Sequence, residues 1–566
     1  MVRKILTKIT APVRGLHQAA YLLAGLTLVS QVLALLRDRI FAHLFGAGEI
    51  LDLYYAAFKI PDLVFALVVS LVSAYVLIPK IAEYLEKGSE KEARELVSQT
   101  TSFLVLAGGF LCVVLMISAP HILFRIFPAF ESSTHADSFV TLVRLLLLQP
   151  ILLGVSSVLG SVTQLQRKFF LFALSPVLYN AGIIFGTVVL YPRIGLPGIG
   201  YGVLLGAVLH LAIHVSVVRE AKLFPQLVIP DPKILWTIMK SSAPRSLALA
   251  MGSLTMLVLI AMASRTGEGS VSVFTFAINL EAVPLSLIGA AYATAAFPVM
   301  SAHFGGARME AFRTTVSVSA RQIILWSSII TVLTIVLRAH IVRIVLGTGA
   351  FNWDDTRLTA AILAVLIVGL LSQGIILLAS RAFYAAKRSW NPLYVQCADA
   401  GISVLCAYTL LQLAIVHPEL RYFVESLLRI SDVPGSSIVF IALGATVGQL
   451  IMGAVALMTL RTVAPGVASG LMRPLFEGLG AAIVGGAASY GTLLLTGSIA
   501  PLTKLYVVFT EASIAGMVGL TVASLVLYLL KNQEFRDLLQ SLVKLTSSKT
   551  RIPLAPFAPI HDQQNT

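Results

Sequence analysis

One feature repeats along the whole sequence: runs of about 20 apolar residues separated by short polar connections. A helix of that length crosses a bilayer core roughly 30 Å thick. Backbone N–H and C=O groups find no water in that core, so only helices and closed barrels span it. Strand-period alternation is absent and the runs are too long for transmembrane strands, which leaves helices. Composition agrees. Of 566 residues, 57% are hydrophobic and 12% charged, against about 25% charged in a soluble domain, and mean hydropathy is +0.89. Too little polar surface remains to cover a water-soluble particle. The chain reads as an all-α polytopic membrane protein.

About fourteen transmembrane helices are predicted, over 17–45, 51–82, 97–118, 138–163, 170–191, 198–218, 241–264, 270–302, 316–337, 357–386, 391–415, 437–460, 474–496 and 506–530. The opening MVRKILTKITAPVRGL is basic, as in a signal peptide. The stretch after it is long and lacks a small-residue cleavage site, so it reads as a retained first span. Lys and Arg in the short connections set the orientation. One side collects Arg3, Lys4, Lys8 and Arg14, then Lys87 to Arg94, Arg167 and Lys168, Arg219 to Lys240, Arg308 and Arg313, Lys387 and Arg388, Arg461 and Arg473. The other side holds far fewer. Both termini are therefore expected in the cytoplasm of a bacterial inner membrane. The net charge of +14 follows from topology and anionic lipid, with no nucleic acid needed.

Prolines reveal a weak internal repeat. SAYVLIPKIAEYL and ATAAFPVMSAHF place Pro79 and Pro298 219 residues apart, and Pro176 and Pro392 lie 216 apart. Duplication of a six-helix unit accounts for both offsets. An even number of helices gives the copies one orientation, related by a pseudo-twofold axis along the membrane normal. The expected organisation is an N-terminal segment 1–16, a first six-helix lobe 17–218, a cytoplasmic linker 219–240, a second six-helix lobe 241–460, two additional helices 461–531, and a tail 532–566. QEFRDLLQSLVKL (533–545) places Phe535, Leu538, Leu539 and Leu542 on one face as an interfacial helix, and ELRYFVESLLRI (419–430) is a shorter amphipathic piece on the outer side. Beyond Ser547 the Pro-containing tail is expected to be disordered. Cys112, Cys397 and Cys406 lie in apolar runs without metal-ligand spacing and read as small packing residues.

Charges inside such runs are costly, about 2.5–3.5 kcal/mol at the bilayer centre, and tend to face protein or a watery cavity. Arg37-Asp38-Arg39 in QVLALLRDRIFAHLFGAG is the densest case. At about 100° per residue, Arg37 and Arg39 point to nearly opposite sides of their helix, so they cannot line one cavity. Arg37 is assigned to the cavity with Asp38 as partial counter-charge; for Arg39, snorkelling to headgroups is an equal reading. Lys59 precedes Pro61, where a kink frees carbonyls, and is assigned to the cavity too. Asp52, Arg144, Arg245, Glu281, Arg321, Asp399 and Glu511 complete the set, with Asp399 and Glu511 open between a coupling-ion role and a structural one. No GxSxG, HExxH or P-loop occurs, which leaves hydrolysis and ATP-driven pumping without motif support. The chain is read as a non-enzyme without cofactor or metal.

The stretch RDRIFAHLFGAGEILDLYYAAFKIPDLV resembles the first signature of the MurJ (MviN) family, the lipid II flippases of the MOP transporter superfamily. QLQRKFFLFALSPVLYNAGIIFG, GSVSVFTFAINLEAVPLSLIGAAYATAAFPVMS, VLGTGAFNWDDTRLTAAIL and SRAFYAAKRSWNPL follow in the same order, over roughly residues 20 to 465. The resemblance implies two six-helix lobes around a central cavity and two C-terminal helices that form a groove for a lipid tail. It implies alternating access that carries lipid-linked peptidoglycan precursor to the outer leaflet. In that family cavity arginines hold the pyrophosphate, and Arg37 matches one of them. A guanidinium fork suits two phosphate oxygens.

The sequence departs from the family where it has Gln31 instead of Arg, VFALVVSLVS (64–73) instead of an Arg-rich segment, and Asn279 instead of Arg, with Phe65 at one lost cation. Substrate binding is accordingly expected at Arg37, Lys59, Asp38, Asp52, Arg245, Asn279 and Gln31. Arg245 follows Pro244 inside the seventh span and is the candidate replacement cation from the second lobe; anchoring of its helix end is the competing reading. A lipid II flippase leads. A flippase for another polyprenyl-pyrophosphate-linked glycan, and a transport-inactive scaffold for cell-wall synthesis or division proteins, stand as alternatives.

Overall fold

Each apolar run folds as the helix its length predicts. The computed structural model describes residues 16–72, 74–468, 470–496 and 504–547; the basic opening segment and the tail beyond Ser547 lie outside the described residues. Helix α1 is Leu16–Phe45. It is followed by α2 (Glu49–Glu86), α3 (Glu90–Ile126), α4 (Ala136–Leu165), α5 (Phe169–Ile194), α6 (Leu196–Glu220), α7 (Pro232–Ala263), α8 (Ser270–Gly305), α9 (Met309–Leu346), α10 (Trp353–Ala385) and α11 (Trp390–Val416). The short α12 is Pro418–Leu428. Then come α13 (Ile438–Leu460), α14 (Met472–Thr496) and α15 (Leu505–Leu529), and finally α16, Gln533–Ser547. Among the described residues there is no strand, and thirteen helices, α2–α11 and α13–α15, are long and apolar enough to cross a membrane. The 30-residue α1 stands where the first span was expected.

Helix ends differ from the expected ones where a helix continues past its apolar zone. Helix α7 begins at Pro232, inside the expected linker, because Asp231 caps it by accepting from the Lys233 N–H at 2.8 Å and Pro232 occupies the first turn. Both are helix-start signals that hydropathy ignores. The remaining extended connection is clipped to α3: the Gln99 side chain accepts from the Asp231 N–H at 2.6 Å, Ser102 accepts from the Val228 N–H at 2.9 Å, and Arg94 Nε donates to the Phe224 carbonyl at 3.1 Å.

Some local features occur in both halves of the chain, whereas, among the described residues, the π-helical turns Leu104–Gly108 of α3 and Gly186–Leu190 of α5 occur in the first half alone. Helices α2 and α8 each carry a π-helical turn, Phe65–Val69 and Ser286–Ala290, upstream of Pro79 and Pro298. Two helix pairs approach backbone to backbone. In α5 and α6 a Cβ on Gly182 would sit 2.4 Å from the Gly206 Cα, and in α11 and α13 a Cβ on Gly444 would sit 2.3 Å from the Ala407 Cα. Small residues permit such packing where apolar burial gives no net drive.

We call α1–α6 the first lobe, and α7–α11 with α13 the second. The face on which α1 begins is the near side, and the opposite face the far side. Each lobe has its own near-side core: Val72, Leu77 and Leu159 in the first, Met300, Phe312 and Phe383 in the second. On the far side one core runs through both lobes, joining Phe41, Tyr55, Phe276 and Phe351. Their rings meet edge-on, Tyr55 to Phe276 and Phe276 to Phe351 both at 5.8 Å. Helix α7 bridges the lobes on the near side as well, with Ile238 buried in the first-lobe core. Helices α14 and α15 pack on α9 through Leu325, Ile329, Ala481 and Ala523. The expected interfacial helix α16 docks against the same unit. Phe535 is buried beside Trp326, Asn532 donates to Glu477 at 2.6 Å, and Gln322 donates to the Glu534 carbonyl at 3.2 Å.

Candidate functional site

About a quarter of the way along α2 the helix breaks at Phe58, ahead of Pro61, and resumes at Lys59. The break turns Lys59 and Asp62 toward α7. Together with Phe65 and Ser70 of α2, and Gly252, Ser253 and Met256 of α7, they line a cavity of about 440 Å³ between the lobes. Lys59 and Asp62 face the same space and act on each other electrostatically without closing to ion-pair distance. Asp62 was missed in the sequence, although Lys and Asp three apart in an apolar run share a helix face and signal a paired site.

Arg37 lies nearby in a separate cluster. Its Nη2 and Nε donate to Asp38 Oδ1 at 2.8 and 3.1 Å, its Nη1 donates to Asn180 Oδ1 at 3.1 Å, and its guanidinium sits 5.9 Å from the centre of the Phe41 ring. The other Asp38 oxygen accepts from Asn279 Nδ2 of α8 at 2.9 Å, so the second lobe reaches across to the counter-ion of the first. Four of the expected residues or their partners thus meet here. Neither cation stands alone: Arg37 is paired with Asp38, and Lys59 shares its space with Asp62. A lone cation in a low-dielectric setting is too costly to leave uncompensated.

Other expected site residues lie elsewhere. Asp52 is buried on the far side, accepting from the backbone N–H groups of Gly269 and Ser272, both at 2.7 Å, and from the Ser272 hydroxyl. It caps α8 and joins the lobes rather than lining the cavity. Gly269 is required there, since at φ +79° a Cβ would fall 2.2 Å from the Ala47 carbonyl oxygen. Arg39 neither snorkels nor enters the cavity; it donates to the Ile344 and Val345 carbonyls at the end of α9, satisfying groups that a helix C-terminus leaves open. Gln31 is exposed on the near-side half of α1. Arg245 is half-buried and acts on Tyr384 together with Arg381, all within the second lobe, and is not among the residues lining the cavity.

Most of the remaining intramembrane charges have local partners. Glu281 is buried and accepts from Gln373 at 2.6 Å, Asp399 accepts from Gln396 at 3.3 Å and Ser403 at 3.4 Å, and Glu511 lies 3.8 Å from His340. Arg144 donates to the Met116 carbonyl at 3.0 Å, and Arg321 lines a near-side hollow with Arg313. Of the cysteines Cys112 is buried and Cys406 half-buried, whereas Cys397 is exposed, against the packing role expected for it.

The model of the family described as Lipid II flippase MurJ matches residues 41–417. The chain belongs to the MurJ family. Curated MurJ relatives include the lipid II flippase MurJ of Burkholderia cenocepacia, 23% identical over 407 residues, covering 70% of this chain and 79% of that protein. The probable lipid II flippase MurJ of Thermotoga maritima is 27% identical over 398 residues, covering 68% and 78%. Among solved structures, a MurJ in an inward closed conformation superposes with a TM-score of 0.71 at 19% identity, over 90% of this chain and all of that one. An inward-facing MATE-family transporter of the MOP superfamily gives 0.64 at 16% identity, over 78% and 96%. The fold is thus that of MurJ and its MOP relatives. Among this chain's own residues, the MurJ match ends at Val416–His417, just before α12.

Proposed function

We propose that this protein is a flippase that moves lipid II, a polyprenyl-pyrophosphate-linked peptidoglycan precursor, from the inner to the outer leaflet of a bacterial cytoplasmic membrane. The MurJ family match over 41–417 carries the reading. The Lys and Arg asymmetry makes the near side cytoplasmic. The lobes share a core on the far side and hold separate cores on the near side, which suits a transporter resting closed to the outside. The substrate's pyrophosphate would enter beside Lys59 and compete for Arg37, whose fork is now occupied by Asp38 and Asn180. Release from Asp38 would also loosen the Asn279 link between lobes, coupling anion binding to lobe movement.

A second reading follows from the exposed Gln31, the cavity-lining Phe65 and Asn279 at positions of family cations: a flippase for another polyprenyl-pyrophosphate glycan with a weaker anion site. Cell-wall synthesis or division proteins would be its further partners. Complementation separates the two. In a bacterium depleted of its native lipid II flippase, expression of this chain should restore growth and the exposure of lipid II on the outer leaflet. Normal membrane insertion with no rescue would overturn the lipid II reading and leave the other glycan, or a transport-inactive scaffold.

A further inference from the structure

On the far side, outside the cavity, α9, α10, α12 and α14 enclose a hollow of about 340 Å³, part of whose wall (Leu427, Arg429, Leu493) lies beyond the span of the family match. Its walls carry Arg338, Arg357 and Arg429 together with apolar Val336, Leu427 and Leu493, and no acidic residue lines it. The three arginines are not equivalent. Arg357 is committed: its Nη1 donates to Asp432 at 2.8 Å and its Nε to the Arg429 carbonyl at 3.1 Å, which fixes the loop after α12. Arg338 donates one N–H to the Ile335 carbonyl at 2.7 Å and feels the like charge of Arg429. Among the described residues no ion pair engages either of these two.

Arg429 stands out for its backbone as well. It is the C-cap of α12, at φ +60° and ψ +44°, a left-handed conformation that favours glycine. Among the described residues the other non-glycine residues at positive φ are Arg167, Lys222, Ala307, Lys387 and Lys531. All five end helices on the near side, where the rule for basic connections accounts for four of them. Arg429 is the far-side case, so that rule does not explain a cation there. Depth in the membrane is marked independently. Helix α12 exposes Tyr422, Phe423 and Leu427, and Tyr490 is exposed at the rim, a pattern of aromatic and apolar groups that sits at headgroup level.

We infer that this hollow seats the phosphate of a membrane phospholipid between Arg338 and Arg429, with an acyl chain along Val336 and Leu493. Two unpaired guanidiniums complement a phosphodiester, and an apolar wall beside them favours an anion that carries a chain over a free ion. The site takes a resident lipid of the bilayer, does not touch the cavity residues, and stands whether or not the transported glycan is lipid II.

Native mass spectrometry of the full chain, released from nanodiscs, tests it. In phosphatidylglycerol discs the wild type should retain a bound phospholipid, and in discs of an uncharged diglycosyl diacylglycerol it should retain none. Arg429→Gly removes the cation while relaxing the left-handed backbone, so the variant should unfold at no lower temperature than wild type. It should lose retained lipid about tenfold, as expected for one charge-assisted contact. Arg338→Gln should lose as much. Excess inorganic phosphate should leave the lipid in place. Equal retention by Arg429→Gly, equal retention of the glycolipid, or displacement by inorganic phosphate would each overturn the assignment, the last in favour of a free-anion site.

Discussion

The far-side junction and the mid-membrane cavity both place charged groups in an apolar chain, and they use them in opposite ways. At the junction, two buried charges are tied to backbone of the other lobe: Asp52 to the N–H groups that begin α8, Arg39 to the carbonyls that end α9. In the cavity, Lys59 and Asp62 face common space without an ion pair, and the neighbouring Arg37 is held only by side chains. Side chains can exchange partners at the cost of a rotamer, whereas helix-end amides cannot move without the helix. Burial of charge therefore does not identify a site; the kind of partner does.

The comparison breaks first at Asp52. Replacing it with Ala leaves buried amides unpaired and should destabilise the protein by about 3–5 kcal/mol, the usual range for removing one partner of a buried polar cluster. Thermal unfolding in detergent measures it, and an unchanged midpoint would mean that the lobes are not joined there. Arg37→Ala strips the buried Asp38 of its counter-charge and should cost some stability, yet with insertion retained it should reduce lipid II transport in proteoliposomes more than tenfold, in keeping with about 2–5 kcal/mol for a desolvated charge contact. An unchanged rate would move Arg37 into the structural class with Arg39.

Lys59→Met should lower transport about tenfold with little change in stability, because its partner Asp62 also borders open space. A large loss of stability would instead class the pair with the junction. Arg245→Lys should keep full transport, since Arg245 acts on Tyr384 outside the cavity; a loss like that of Arg37→Ala would return it to the anion site. The smallest effect concerns pH at the far-side loop. The Arg357 fork holds the exposed Asp432 carboxyl down at about 2, below its ordinary 3.8. A depressed carboxyl contributes stability above its unfolded pKa and loses it as pH falls through the folded one. Hydrogen-exchange protection in 429–437, taken relative to the intrinsic amide rate at each pH, should thus be constant above about pH 4 and fall only toward pH 2. Faster exchange already at neutral pH would show that the clamp does not hold.

Much was legible without coordinates. Helix number follows from the length of apolar runs, because a bilayer imposes it on any chain within it. The MurJ resemblance was readable because its motifs are contiguous in sequence. The opposition of Arg37 and Arg39 was readable too, since helix period is local. Partners were not. Asp52 was taken for a binding residue when it caps α8, whose amides come from residues more than two hundred positions away. Arg245 was assigned to the cavity from its repeat position, and Asp62, which lines the cavity, was passed over. Sequence thus determined which residues carry a charge the membrane will not tolerate alone. Only the packing of one lobe against the other decided what compensates each charge, because in a medium without water the compensating group must come from the protein, from whatever helix the fold brings within hydrogen-bond reach.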